Sequence, residues 1–185
     1  MRDSKKSIIE EARKLFSEFD FLGVSMADIA GSLGITKAAL YYHFESKKQL
    51  YLEVLKRAFR DLVKNLNEGT KREDNSLKQL STLIQNYLNF SFKEKNIIKS
   101  QSLKIKDMDP EIKDFVAKLR EKLKRYFKSP LEKILESSKK EISLDSLTTF
   151  VLGAMDRLIL EAAFLDKKLN AKKRARQILK AIGLL

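Results

Sequence analysis

The chain has 185 residues, 43% of them hydrophobic, with two prolines, six glycines and no cysteine. A chain of this size buries a sizeable core in at most two modest domains, and without cysteine it has neither a disulfide framework nor a thiolate metal site. The formal charge of +13 invites a nucleic-acid reading. Residues 1–50, however, carry Arg2, Lys5, Lys6, Arg13, Lys14, Lys37, Lys47 and Lys48 against Asp3, Glu10, Glu11, Glu18, Asp20, Asp28 and Glu45, so the excess lies further along. Any argument for DNA must therefore come from a motif and not from the bulk charge.

The N-terminal run MRDSKKSIIEEARKLF places acids inside its first apolar stretch and offers no small-residue cleavage site, so it does not read as a secretory signal. No apolar run approaches the roughly 20 residues that span a bilayer. The expected location is cytoplasmic and nucleoid-associated, with no membrane partner. Ile9, Ala12, Leu15 and Phe16 give the first helix an apolar stripe.

Ser25 with Asp28 has the form of a capping box that opens a second helix near Met26. Ile29, Ala30 and Leu33 face inward, and Gly34 stands where a left-handed backbone turns the chain sharply. Thr36 then caps a third helix with Ala39 and Leu40 inside and Ile35 and Phe44 as apolar flanks. A bare helical hairpin would share these features. The other face of the third helix is what separates the two readings. Thr36, Lys37, Tyr41, Tyr42 and His43 offer hydroxyl, ammonium, phenol and imidazole groups, which bond phosphates and base edges.

Ser46 caps a long linking helix to about Asn67, with Leu50, Val54, Leu55, Ala58, Leu62 and Leu66 inward. A polar loop from Gly69 to Asn75 follows, and Ser76 with Gln79 reads as a second capping box for a helix bearing Leu80, Leu83, Ile84, Tyr87 and Leu88. One short helix is expected between Lys93 and Asp107. Asp109, Pro110 and Glu111 open the next helix, since proline suits the first helical position. Ser129, Pro130 and Glu132 repeat that signal and predict a break or kink. Two further helices are expected, about Leu144 to Asp166 and Ala171 to Ile182. The first of them is apolar around most of its circumference, so it must be buried on more than one side. The predicted class is all-α, with about nine helices.

Residues from about Ser4 to Tyr51 resemble the DNA-binding domain of the TetR family of bacterial transcriptional regulators. The likeness rests on the first-helix stripe, Gly23, Ser25 with Met26, Ile29 and Ala30, the Leu33-Gly34-Ile35 turn, LYYHF from Leu40 and SKKQL from Ser46. Ala38 stands where that family often has glycine or proline, and Tyr42 makes a double tyrosine. The resemblance implies a three-helix DNA-binding domain over residues 1–50 and a helical effector-binding and dimerisation domain over 51–185. It also implies a ligand-responsive dimeric repressor, released from a palindromic double-stranded operator by a small apolar or amphipathic molecule. The alternative on the same fold is a ligand-blind DNA-organising or scaffold protein.

Carried over residue by residue, Lys37 would donate to guanine O6 or N7, with Thr36 and Ala38 beside it. Tyr41, Tyr42 and His43 would grip phosphates, as would Lys47 in the first turn of the following helix, and Ser25 joins the DNA-facing set. Phe150, Gly153, Ala154, Leu158 and Phe164 on the apolar helix, with Ala175, Ile178, Leu179 and Ile182 on the last, would form the homodimer interface. An effector cavity is sketched by Tyr87, Phe90, Met108, Phe115, Tyr126 and Met155, with Asp156 or Glu161 as a carboxylate facing a cationic or hydrogen-bonding ligand. The competing reading of that charged cluster is an Arg157–Glu161 pair one turn apart. With one histidine, no glycine-rich phosphate loop and no paired metal-ligand spacing, no enzyme, metal or cofactor is expected.

Overall fold

The computed structural model describes residues 5–70, 75–94, 109–138, 141–165 and 167–185. Among them lie eight helices and no strand: α1 (Lys5–Gly23), α2 (Met26–Leu33), α3 (Lys37–His43), α4 (Lys47–Thr70), α5 (Ser76–Lys93), α6 (Pro110–Ser138), α7 (Leu144–Leu165) and α8 (Ala171–Ala181). The short helix expected between Lys93 and Asp107, and Met108 of the sketched cavity, lie outside the described residues. No described helix is long and apolar enough to cross a membrane.

Two compact units divide these residues. The first holds α1 to α3, α4 as far as Arg60, and Glu94 with the start of α6 through Phe115; the second holds the remainder. The first unit's core is Ile8, Ala12 and Phe16 of α1 against Ile29, Ala30, Leu40, Phe44 and Leu50, all 2% exposed or less. Phe16 meets Tyr51 of α4 edge-on at 5.0 Å between ring centroids. Aromatic packing thus closes α1 onto α4.

In the second unit α5 packs mainly on α7 and α8. Leu80, Leu83, Ile84 and Leu88 of α5, Phe127 and Leu131 of α6, and Val151, Met155 and Ile159 of α7 are buried there. Ala171, Ala175, Ile178 and Leu179 of α8 are buried as well, within a single chain. Ala175, Ile178 and Leu179, named for the dimer interface, are thus buried within the single chain, where α8 packs on α5, and Ile182 is half-buried at the end of the helix. The stripe reads identically in the sequence whether it meets a neighbour in the same chain or in another.

Three local expectations change. The cap of α5 is Asn75, not Ser76: its Oδ1 accepts from the amides of Leu77 and Lys78, each at 3.0 Å. Gly69 does not open a loop but lies inside α4. A Cβ on it would stand 2.0 Å from Nδ2 of Asn86, so the glycine permits the approach of α5. Pro130 does not break its helix either, and α6 runs helical from Pro110 to Ser138. Proline has no N–H for the carbonyl four residues back, yet Phe127 and Leu131 on either side are fully buried, and that packing holds the turn together.

Candidate nucleic-acid interface

The α2–α3 turn is built by short-range hydrogen bonds. Ser25 Oγ accepts from the Asp28 amide at 3.1 Å, and the Ser25 amide donates back to Asp28 Oδ2 at 2.8 Å. The Ser25 hydroxyl also donates to Asp28 Oδ2 at 2.7 Å, and this bond first, then that of the Ser25 amide, holds the Asp28 carboxyl below its ordinary value of 3.8. Gly34 ends α2 in the left-handed region at φ +67°, with its amide bonded to the helix end, and Ile35 bonds back to the Ala30 carbonyl at 3.0 Å. Thr36 Oγ1 then accepts from the Ala39 amide at 3.1 Å and starts α3. Buried Ala30 keeps α2 thin on its inner side. Every cap the motif needs is supplied within three or four residues of its partner.

The outer face of this turn carries the residues named for DNA. Ser25, Thr36, Lys37, Ala38, Tyr41 and Tyr42 are all exposed, Tyr42 at 86%. His43 is half-buried, its ring edge-on to Tyr42 at 5.3 Å. Leu40 and Phe44, between and beyond them, are essentially inaccessible. A seven-residue helix that buries one side chain and exposes its cation, phenols and hydroxyl is shaped to enter a groove rather than to fill a core.

Lys47 behaves differently from its neighbours. Its Nζ donates to the Phe21 and Val24 carbonyls at 2.8 and 2.9 Å and lies 4.4 Å from the Phe21 ring centroid. This ammonium staples the start of α4 to the end of α1, a use that sequence spacing could not reveal. Lys48, not singled out in the sequence, reaches Asp109 Oδ2 at 3.3 Å and Glu111 Oε2 at 2.9 Å. Arg13 binds Glu94 through Nε and Nη2 at 2.9 and 2.8 Å, and Ser17 donates to the same carboxylate. Arg57 pairs with Glu10 at 2.8 Å.

In the second unit, the structure brings two residues of the sketched cavity together. The Tyr87 hydroxyl donates to Asp156 Oδ1 at 2.6 Å, and Arg120 of α6 pairs with Oδ2 of the same carboxylate. Burial, reinforced by the Asp156 charge, pushes the Tyr87 phenol well above its usual range. Of the two carboxylates, Asp156 is therefore the one held by Tyr87 and Arg120. Met155 is buried, while Phe90, Tyr126 and Glu161 are half-buried. Phe115 belongs to the first unit, with the Lys56 ammonium 6.0 Å from its ring centroid. Arg120 was missed because its only signal is a pairing across 36 positions.

Phe150, Gly153 and Phe164 of α7 lie on one exposed stripe, Phe150 and Phe164 at 55% and 49%, with Ala154 and Leu158 half-buried beside it. A Cβ on Gly153 would meet nothing within 4 Å. Arg157 is exposed on the same side of the helix, between Phe150 and Phe164, so the uncovered face carries two phenylalanine rings and a cation.

A short capped helix, a left-handed glycine and a second helix with an outward polar face define a helix-turn-helix protein that binds DNA. Residues 8–54 match the family model for bacterial regulatory proteins of the tetR family. Over that segment the chain carries the DNA-binding domain of tetR-family regulators, and along most of its length it is similar to transcriptional regulators. It is 27% identical over 163 residues, 88% of this chain and 86% of the relative, to the biofilm operon icaADBC HTH-type negative transcriptional regulator IcaR of Staphylococcus aureus (strain Newman). Its fold matches the TetR family regulator PfmR of Thermus thermophilus with TM-score 0.76 and 25% identity, covering 95% of this chain and 96% of that one. FadR of Bacillus subtilis, solved with stearoyl-CoA, shares the fold at TM-score 0.82 and 14% identity over 98% of this chain and all of that one.

Proposed function

We propose that the protein is a dimeric, ligand-responsive repressor that reads a palindromic operator with α3 and is released by a small apolar or amphipathic effector. The observation that carries this reading is the outer face of α3, where Thr36, Lys37, Ala38, Tyr41 and Tyr42 are exposed on a helix anchored by a buried Leu40. In this reading Lys37 contacts a base edge, Thr36 and Ala38 flank it, and Tyr41, Tyr42, His43 and Ser25 hold the backbone. Negative regulation is supported by the similarity to IcaR across most of both chains. A ligand is supported by the shared fold of FadR, solved with stearoyl-CoA.

The second copy is taken up by the outward stripe of α7, Phe150, Gly153 and Phe164, with Ala154 and Leu158 at its edge. A two-fold pairing there buries two exposed phenylalanines per protomer. The two α3 helices would then stand about 34 Å apart, one turn of duplex. Driving such a switch from mostly bound to mostly released takes an effector about 5.5 kcal/mol of preference for the released state.

Selection of duplexes from a random pool with purified protein at physiological salt tests the reading. A palindrome should emerge with high enrichment. Folded, dimeric protein that enriches nothing would replace it with a nonspecific DNA organiser.

A further inference from the structure

Most cations of the first unit are committed elsewhere than to a ligand. Lys14 pairs with Glu11 in the same helix, Lys5 lies over the Phe44 ring, and Lys47 is bonded to two carbonyls. Among the described residues, two of the unit's cations form ion pairs with carboxylates outside α1 to α4, and the two differ in kind. The Arg13–Glu94 side chains are 19% and 13% exposed, a pair shielded enough to act as a strut. Those of Lys48, Asp109 and Glu111 are 40%, 38% and 61% exposed. An ion pair so open to solvent gains almost nothing from its geometry and exchanges partners readily.

Position gives that exchange a meaning. Lys48 is the second residue of α4, a helix that only Phe44, Glu45 and Ser46 separate from α3. Next to Lys47, which is bonded to two carbonyls, Lys48 has two carboxylates as partners. Two carboxylate oxygens around one ammonium reproduce what a DNA phosphate would offer it. The pairing raises the Lys48 ammonium, through Glu111 first and then Asp109. Asp109 is lowered: its desolvation is outweighed by the Glu111 amide and by Lys48. Both shifts favour the charged forms of Lys48 and Asp109.

We propose that Lys48 is a DNA-phosphate ligand held in reserve, and that Asp109 and Glu111 at the start of α6 occupy it as phosphate mimics until DNA displaces them. The inference rests on the DNA-binding reading and adds a regulated contact to it. Binding must break two carboxylate contacts in each protomer, so the start of α6 opposes DNA, and whatever holds that segment in place sets the affinity.

The test uses the full chain, a labelled duplex recovered from the random pool and a random-sequence duplex, titrated by fluorescence anisotropy over a range of salt concentrations. Glu111→Gln and Asp109→Asn remove charge while keeping shape, and asparagine retains the acceptor with which Asp109 Oδ1 caps the Glu111 amide. The double variant should bind both duplexes several-fold tighter, with a salt slope steeper by about 0.9 per protomer. In a Lys48→Ala background the same two changes should do nothing. Unchanged or weaker binding by the double variant overturns the proposal, and so does a gain that persists without Lys48, which would reflect bulk charge alone. If thermal melting shows the double variant to be destabilised, Glu111→Gln alone, which leaves the Asp109 cap intact, is judged by the same criteria. Should folded wild-type protein and every variant bind no duplex, the DNA-binding reading itself fails; wild-type binding that the variants leave unaltered defeats only the Lys48 inference.

Discussion

The α2–α3 turn and the polar node around Asp156 are both small networks of side chains, but they are assembled in opposite ways. Ser25 with Asp28 and Thr36 with Ala39 are each three positions apart. Tyr87 and Arg120 reach Asp156 across 69 and 36 positions. The first network is a consequence of local backbone geometry, present as soon as the two helices form. The second exists only when α5, α6 and α7 have packed. A DNA-reading surface made locally keeps its shape through changes elsewhere, whereas a node made by three helices is sensitive to any of them.

The largest effect should come from emptying the two cores. Phe44→Ala and Phe127→Ala each remove a ring that is 1% exposed or less, at a cost of about 3–5 kcal/mol. Urea denaturation with a DNA-binding assay alongside should show binding lost at lower denaturant for Phe44→Ala than for Phe127→Ala. Equal loss of both would mean that the two regions melt as one, and the contrast would dissolve.

Next comes the node. Asp156→Ala removes the acceptor of the buried Tyr87 hydroxyl, leaving it beside the Ser91 side chain, and should destabilise by about 1–3 kcal/mol, with little of this from Arg120, whose side chain is half open to water. Melting followed by circular dichroism reads the loss, and a Tyr87→Phe change in the same background should restore part of it. No recovery would show that Asp156 is held by something other than Tyr87. Lys37→Ala should cost roughly 1–3 kcal/mol on the selected operator and relax choice at one base pair. Equal losses on selected and random duplex would remove Lys37 from base reading.

The smallest effects belong to the local caps. Ser25→Ala should cost about 1 kcal/mol, detectable as a modest fall in melting temperature. The capping carboxylate also carries a pH signature. Because folding lowers the Asp28 pKa from 3.8, its contribution is complete above that value and disappears as pH falls through the lower folded value. Chemical shifts of the Ser25 and Asp28 amides should therefore move only in acid below about pH 4. Movement near neutrality would mean another group controls the cap.

The sequence by itself determined the caps of α2 and α3, the left-handed glycine, the polar face of α3 and the helical class, because each depends on side chains within about one helical turn. The same reasoning misplaced features wherever a distant neighbour decides. Gly69 looked like a loop and is a contact point for Asn86; Pro130 looked like a stop and is carried through by buried Phe127 and Leu131. The α8 stripe, apolar in the sequence, has its alanines and aliphatic side chains buried in its own chain, where the helix packs on α5. Lys47 and Lys48, adjacent and alike in the sequence, were separated only by the fold, one turned onto backbone carbonyls and the other onto carboxylates of α6. An ammonium takes whichever acceptors packing brings within reach, and that is a property of the tertiary structure alone.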